Sequence, residues 1–399
     1  ENLPNFKELS DALENTSGQL AITGEAVRNA YSRMPISNMD IELHGFANES
    51  ALLSEGEYAL NDKLPLNRIS ENVFSTKDGN LTFTLVPSDG EGVDLAATTV
   101  NKTFTPDALV YDVAKDLLLD PTKRGVNSLD QNNLDIVSNN NVLDNEASPY
   151  EAALLMSQFN LFLPDEARDV LASVVTNTNR DKNRESDVNK TLAFLDLLGT
   201  PNSSNGLNTL KTLGAFEKDF PALHNLEQEA WDTLVEGVSS VSSDFSDSQK
   251  LAAVFNYLSD EDVKATLNPS EDSQDSILNN SSMDSSLKDA GDFHKIVQTV
   301  KDAKTNNTNL RQAQHSYTSA KIENALEVLK ATKEFTDSDV TTFNNKRFTY
   351  TEQLKNEGAT EQNALASISQ IQGLLDLAKT SEGERIARDI QNTVINYQI

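Results

Sequence analysis

The sequence predicts a mainly α protein with a smaller α+β module, ending in a long antiparallel helical hairpin of coiled-coil type. Three observations predict it. Residues Asp292 to Lys379 contain no proline, and their only glycines are Gly358 and Gly373. From Ala147 onward, Ser, Asp and Pro repeatedly precede apolar runs of helical period. Between Ile36 and Thr105 the pattern changes, with β-branched and aromatic runs around an Asp-Gly turn.

The elements follow in order. Asn5 to Arg33 reads as a helical segment (domain 1–34), with Phe6, Leu9, Leu13, Val27 and Tyr31 near helical spacing and Pro35 ending it. A β-containing module (35–125) centres on Val73-Phe74-Ser75-Thr76 and Leu81-Thr82-Phe83-Thr84-Leu85-Val86. These flank Lys77-Asp78-Gly79-Asn80, a strong hairpin signal. Pro106 to Leu119 reads as a helix through Leu109, Val110, Val113, Leu117 and Leu118. Asp120 to Glu146 is polar and aperiodic, and residues 126–147 read as a linker between domains.

A helical domain (148–290) opens at Ser148-Pro149-Tyr150-Glu151, which has the spacing of a capping box with proline at the first helical position. Ser246-Asp247-Ser248-Gln249 repeats the capping-box spacing. Trp231, the single tryptophan, falls inside a predicted helix as a core residue. The last domain (291–399) is the hairpin, interrupted only at Thr336-Asp337-Ser338-Asp339. Each half would be on the order of 60 Å long at about 1.5 Å per residue. In the second half Ala364, Ile371 and Ala378 recur every seven residues, and Ile368 and Leu375 recur between them, with Tyr350 and Leu354 extending the seam.

The chemistry-bearing motifs are sparse. Four histidines, His44, His224, His294 and His315, are scattered in no ligand spacing, and cysteine is absent. No phosphate-binding glycine loop or nucleophile elbow occurs. Asp130–Asp135 and Asp181–Glu185 begin like calcium loops, but the first lacks the glycine and the second ends on Leu192 instead of glutamate. With 62 Asp plus Glu against 33 Lys plus Arg, the formal charge of −29 repels phosphates at long range. Nucleic acid is therefore not expected as a partner. No apolar run reaches the ~20 residues of a membrane span.

The stretch from Val340-Thr341-Thr342-Phe343 to Leu374-Leu375-Asp376-Leu377 resembles the C-terminal helix of type III secretion needle-tip proteins, the hydrophilic translocators. The matching residues are Thr341, Phe343, Asn363, Ile368, Ile371, Leu374 and Leu375. The resemblance implies a secreted or bacterial cell-surface protein that binds a needle or assembly subunit and other proteins, or itself, through this helix. The expected function is non-enzymatic assembly, with no catalytic residue, cofactor or metal. The seam Tyr350, Leu354, Ala364, Ile368, Ile371, Leu375 and Ala378 would be its interface. Two alternatives stay open: a virion or other structural assembly protein, and a hydrolase using an Asp/Glu pair that sequence does not expose. Without secretion the chain would be soluble and cytoplasmic.

Overall fold

In the computed structural model, described residues span 6–356 apart from 15, 17, 37–38, 47–53, 55–57, 80, 88–91, 178–183, 269–276, 279–282, 306–312 and 314–315. The chain is mainly helical with one small mixed sheet. Contacts divide it into two compact units, Glu1–Val235 with Asn268–Asp284, and Glu236–Leu267 with Ser285–Ile399.

The first unit begins with the sheet. Its strands are β1 (Gln19–Thr23), β2 (Asp40–His44), β3 (Leu66–Arg68), β4 (Val73–Thr76), β5 (Thr82–Leu85), β6 (Val110–Asp112) and β7 (Leu117–Leu119). Their spatial order is β3-β4-β5-β2-β1-β6-β7, so β2 lies at the centre. Among the described strands only β2 and β5 run parallel, with Ile41 opposite Phe83 and Leu43 opposite Leu85. Every second residue of a strand faces the same side. Ile41 and Leu43 accordingly enter a core with Leu9, Leu13, Leu20, Leu60, Phe74, Phe83 and Leu85. Each of these large side chains contributes roughly 1.5–3 kcal/mol by burial. The Lys77–Gly79 turn behaves as expected: β4 and β5 pair antiparallel, and Gly79 takes φ 72°.

Three sequence expectations change here. The single helix over 5–33 is instead a helix Phe6–Leu13, strand β1 and a second helix Glu25–Tyr31. Gly24, at φ 69° and ψ −136°, breaks the helical reading between β1 and the second helix. The helix over 106–119 is a 3₁₀ turn, Thr105–Ala108, followed by the β6–β7 hairpin. Asp116 at φ 52° turns that hairpin, and the Asp112 carboxylate accepts the Lys115 N–H at 3.1 Å. The polar stretch 120–146 holds helices Gly125–Asp130 and Asn139–Asp144 and buries Leu134 and Val142 completely. Its many Asn and Asp side chains serve to bond backbone groups, a use that apolar periodicity does not register.

Helix Ser148–Phe159 starts as predicted but without the capping box. Ser148 Oγ donates to the Val142 carbonyl at 3.1 Å, and Glu151 accepts from Asn145 at 2.8 Å. This helix packs on helix Ser203–Leu213 at Gly206, whose N–H donates to Ser157 Oγ at 3.0 Å. Tyr150, Phe194, Phe216, Phe220 and Trp231 form one aromatic cluster, with Trp231 buried and its indole N–H donating to Asn208 at 2.8 Å.

In the second unit the Ser246–Gln249 capping box is present. The pair of ~60 Å helices is not what the described residues form. Helix Asp284–Ala303 ends in a turn, where the Lys304 and Thr305 N–H groups donate to the Lys301 and Asp302 carbonyls. Helices Ser319–Ala331 and Asp337–Asn356 follow, joined through Thr336 and Asp339. There Asp339 accepts from the Thr336 backbone N–H, Thr336 Oγ1 and Lys304 Nζ, and these bonds hold its carboxyl at a pKa of about 2. Tyr350 and Leu354 lie on the last of these helices, while Ala364, Ile368, Ile371, Leu375 and Ala378 fall outside the described residues.

The Ser148–Phe159/Ser203–Leu213 crossing generates a stability prediction. A Cβ on Gly206 would stand 2.3 Å from Leu197 Cδ1 and 2.6 Å from the Ala153 carbonyl. Gly206→Ala is expected to destabilise the chain by about 1–3 kcal/mol through overpacking. Urea unfolding measures it, and an unchanged midpoint would show that the helices do not approach so closely.

Candidate active site

The face of β2 opposite the core carries Asp40, Glu42 and His44. Asp40 is exposed, Glu42 is half-buried and His44 is fully buried. Twice the rise of a strand residue separates the two carboxylates' Cα atoms by about 6.6 Å. Asp40 pairs with Thr23 at the end of β1, directly before Gly24. A Cβ placed on Gly24 would stand 2.9 Å from Asp40 Oδ2 and 3.5 Å from Lys102 Nζ. Glycine is required there twice over, by its positive φ and by the carboxylate crowding its Cα.

Residues on either side hold this arrangement. Arg28, buried in helix Glu25–Tyr31, forms an ion pair with Asp107 of the 3₁₀ turn and lies 4.9 Å above the Phe159 ring. Its neighbour Asn29 donates to the Pro35 carbonyl at 3.0 Å, fixing the connection that enters β2. The loop bearing Lys102 is tied down by the stretch once read as a linker. Asn141 donates to the carbonyls of Val100 and Lys102, at 3.0 and 2.6 Å. Asn145 donates to Thr103 Oγ1 at 3.0 Å. The same Asn145 bonds Glu151, whose carboxyl pKa is raised by burial and by the nearby Asp107 charge, against the lowering effect of that hydrogen bond.

His44, one of the four histidines scattered in sequence, is fully buried and has a partner at each ring nitrogen. Its Nε2 lies 2.9 Å from Glu42 Oε2, and its Nδ1 accepts the Asp94 backbone N–H at 3.2 Å. Asp94 in turn caps helix Leu95–Thr99, accepting from Ala96 and Ala97.

Two carboxylates on one open strand face are hard oxygen donors. Mg²⁺ suits such a set, because it takes one or two protein carboxylates and fills the rest of its octahedron with water and substrate phosphates. Among the described residues no group of three or more His, Cys, Asp or Glu could hold a metal ion unaided. The donor set therefore fits a cation shared with a phosphate-bearing substrate.

Of the seam residues named in sequence, Tyr350 and Leu354 lie on helix Asp337–Asn356, and Ala364, Ile368, Ile371, Leu375 and Ala378 fall outside the described residues. The residues that are brought to this face, Gly24, Asp40, Glu42 and Lys102, were passed over. Their signal was the acidic alternation Asp40-Ile41-Glu42-Leu43-His44, inside the module read as β-containing, after Gly24-Glu25-Ala26-Val27-Arg28, inside the segment read as helix.

No protein-family model matches the chain. No curated protein matches it in sequence. Solved structures do match it. The Bacillus stearothermophilus CCA-adding enzyme in complex with CTP aligns over 99% of this chain and 94% of its own, with TM-score 0.68 and 14% identity. A CCA-adding enzyme in its apo form I aligns over 98% and 89%, with TM-score 0.60 and 14% identity. The Thermotoga maritima CCA-adding enzyme complexed with tRNA aligns over 86% and 81%, with TM-score 0.56 and 16% identity.

These matches overturn the needle-tip resemblance, and with it the non-enzymatic assembly function and the secretion partners; the secreted or cell-surface placement is left without support. A seam of two heptads recurs in coiled coils and helical bundles of many unrelated proteins, so it carried no family information. The exclusion of nucleic acid falls too, since a net charge sums the whole surface and says nothing of one loop. Among the described residues no helix is long and apolar enough to cross a membrane. At these identities the likeness concerns architecture: the chain has the fold of the CCA-adding enzymes.

Proposed function

We propose that this chain transfers nucleotides from CTP or ATP to the 3′ end of an RNA of tRNA type. The observation that carries the reading is the placement of Asp40 and Glu42 together on the open face of β2, beside Gly24 and Lys102. Support also comes from the extent of the fold likeness, which spans nearly the whole chain and includes enzymes bound to CTP and to tRNA.

In the reaction, the RNA 3′-oxygen attacks the α-phosphorus and the bond to the β-phosphate breaks, releasing pyrophosphate. Such transfers depend on positioning and on offsetting phosphate charge. Asp40 and Glu42 would hold the divalent cation, which when bound neutralises charge on the triphosphate. The Lys102 ammonium stands within reach of the same space and adds a second positive charge. Gly24 keeps the approach open, because any side chain there would meet the Asp40 carboxylate. Arg28, already committed to Asp107, orients the two elements that border the site.

The C-terminal seam from Tyr350 and Leu354 through Ala364, Ile368, Ile371, Leu375 and Ala378 is proposed as a packing face and nothing more. Replacing Ile368 and Leu375 together by Asp should lower the Tm by several degrees. An unaltered Tm would remove that role.

The reaction is tested with the full chain, Mg²⁺, labelled CTP and ATP, and a tRNA lacking its terminal CCA. Extension of the RNA is expected, and Asp40→Asn or Glu42→Gln should each reduce it by about 100-fold or more while leaving the fold intact. Gly24→Ala should lower extension as well, with about 1–3 kcal/mol of backbone strain appearing in its unfolding. No extension by a folded wild-type chain, across several RNA acceptors, would sink the proposal.

A further inference from the structure

The Glu42–His44–Asp94 chain of hydrogen bonds lies beside the proposed cation site and has a defined polarity. A backbone N–H can only donate. Because the Asp94 N–H points at His44 Nδ1 at 3.2 Å, that nitrogen must present its lone pair. A neutral imidazole then carries its proton on Nε2, and Nε2 donates to Glu42 Oε2 at 2.9 Å. His44 is fully buried in the sheet, and Asp94 is itself held by two backbone bonds at the start of helix Leu95–Thr99, so neither partner is free to turn. One oxygen of Glu42 is thereby pinned, with the carboxylate still partly open at 16% side-chain exposure.

We propose that His44 is a positioning residue for Glu42: it fixes the carboxylate's orientation so that Oε1 is offered to a divalent cation beside Asp40. Hydrogen bonds of this kind to a ligating carboxylate typically change metal affinity by about 10- to 100-fold. The inference rests on the reading that Asp40 and Glu42 hold the cation. It adds a residue that contacts neither substrate nor metal.

Two substitutions separate positioning from simple packing. His44→Gln places an N–H donor near the Nε2 position and should keep the bond to Glu42. His44→Asn keeps an acceptor for the Asp94 N–H but cannot reach Glu42. Mn²⁺ binding to the full chain, followed by electron paramagnetic resonance, is the readout, with Glu42→Gln as reference. His44→Asn should bind Mn²⁺ about 10-fold more weakly than wild type, and His44→Gln within about threefold of it. Equal affinity for the Asn variant and wild type would overturn the proposal. Equal weakening in both variants would overturn it as well, because it would mean that the imidazole serves only to fill space. A wild-type chain with no Mn²⁺ site overturns it together with the cation site. ¹⁵N-histidine spectra of the wild type supply a check that does not depend on how the variants fold: an unprotonated Nε2 on His44 would also refute it. Should the wild type fail to extend RNA while the Asn and Gln variants part as expected, the proposed reaction falls and the role of His44 stands.

Discussion

Strand β2 can satisfy its surroundings in only one register. It is the central strand, hydrogen-bonded to β1 on one side and β5 on the other, and its residues alternate between charged and apolar. In the observed register Ile41 and Leu43 complete the core while Asp40 and Glu42 reach the opposite face. A slip by one residue would drive two carboxylates and an imidazole into a hydrocarbon interior, at a cost of several kcal/mol for each charge. The forces that fold the module are thus the same ones that assemble the carboxylate pair.

A second constraint ties the sheet to the helices behind it. Arg28 leaves helix Glu25–Tyr31, pairs with Asp107 and stacks on Phe159, so one buried cation joins three elements distant in sequence. Removing one member of such a pair is strongly destabilising, because the other is left charged and unpaired. Asn141 and Asn145 act similarly on the loop bearing Lys102, their side-chain amides donating hydrogen bonds to its carbonyls and to the Thr103 hydroxyl. The site is therefore positioned from both sides by polar groups with defined partners, which leaves their spacing few ways to relax.

For the proposed reaction, acidity and an RNA acceptor sit uneasily together at long range. A formal charge of −29 disfavours the approach of a polyanion, and screening limits that penalty to about 8 Å at physiological salt. Within that distance the local groups decide, and at this site they are Lys102, the two carboxylates and the cation proposed to join them.

How much of this was legible in the sequence follows from which interactions are local. The Lys77–Gly79 hairpin, the Ser246–Gln249 capping box and the burial of Trp231 are set by neighbouring residues or by simple hydrophobicity, and each could be read directly. Asn5–Arg33 could not, because Leu, Ala and Ile suit either a helix or a buried strand. Only pairing with β2 and β6 made Gln19–Thr23 a strand. Residues 106–119 failed in the same way, their apolar spacing fitting a helix until Val110 met Leu119 across a hairpin. Composition and local signals by themselves determined a mainly helical chain with one small β module and no cysteine chemistry. Tertiary structure alone decided that Asp40, Glu42, Lys102 and Gly24 share one place, because β-sheet pairing joins residues far apart in the chain and leaves no periodic trace of the contacts it makes.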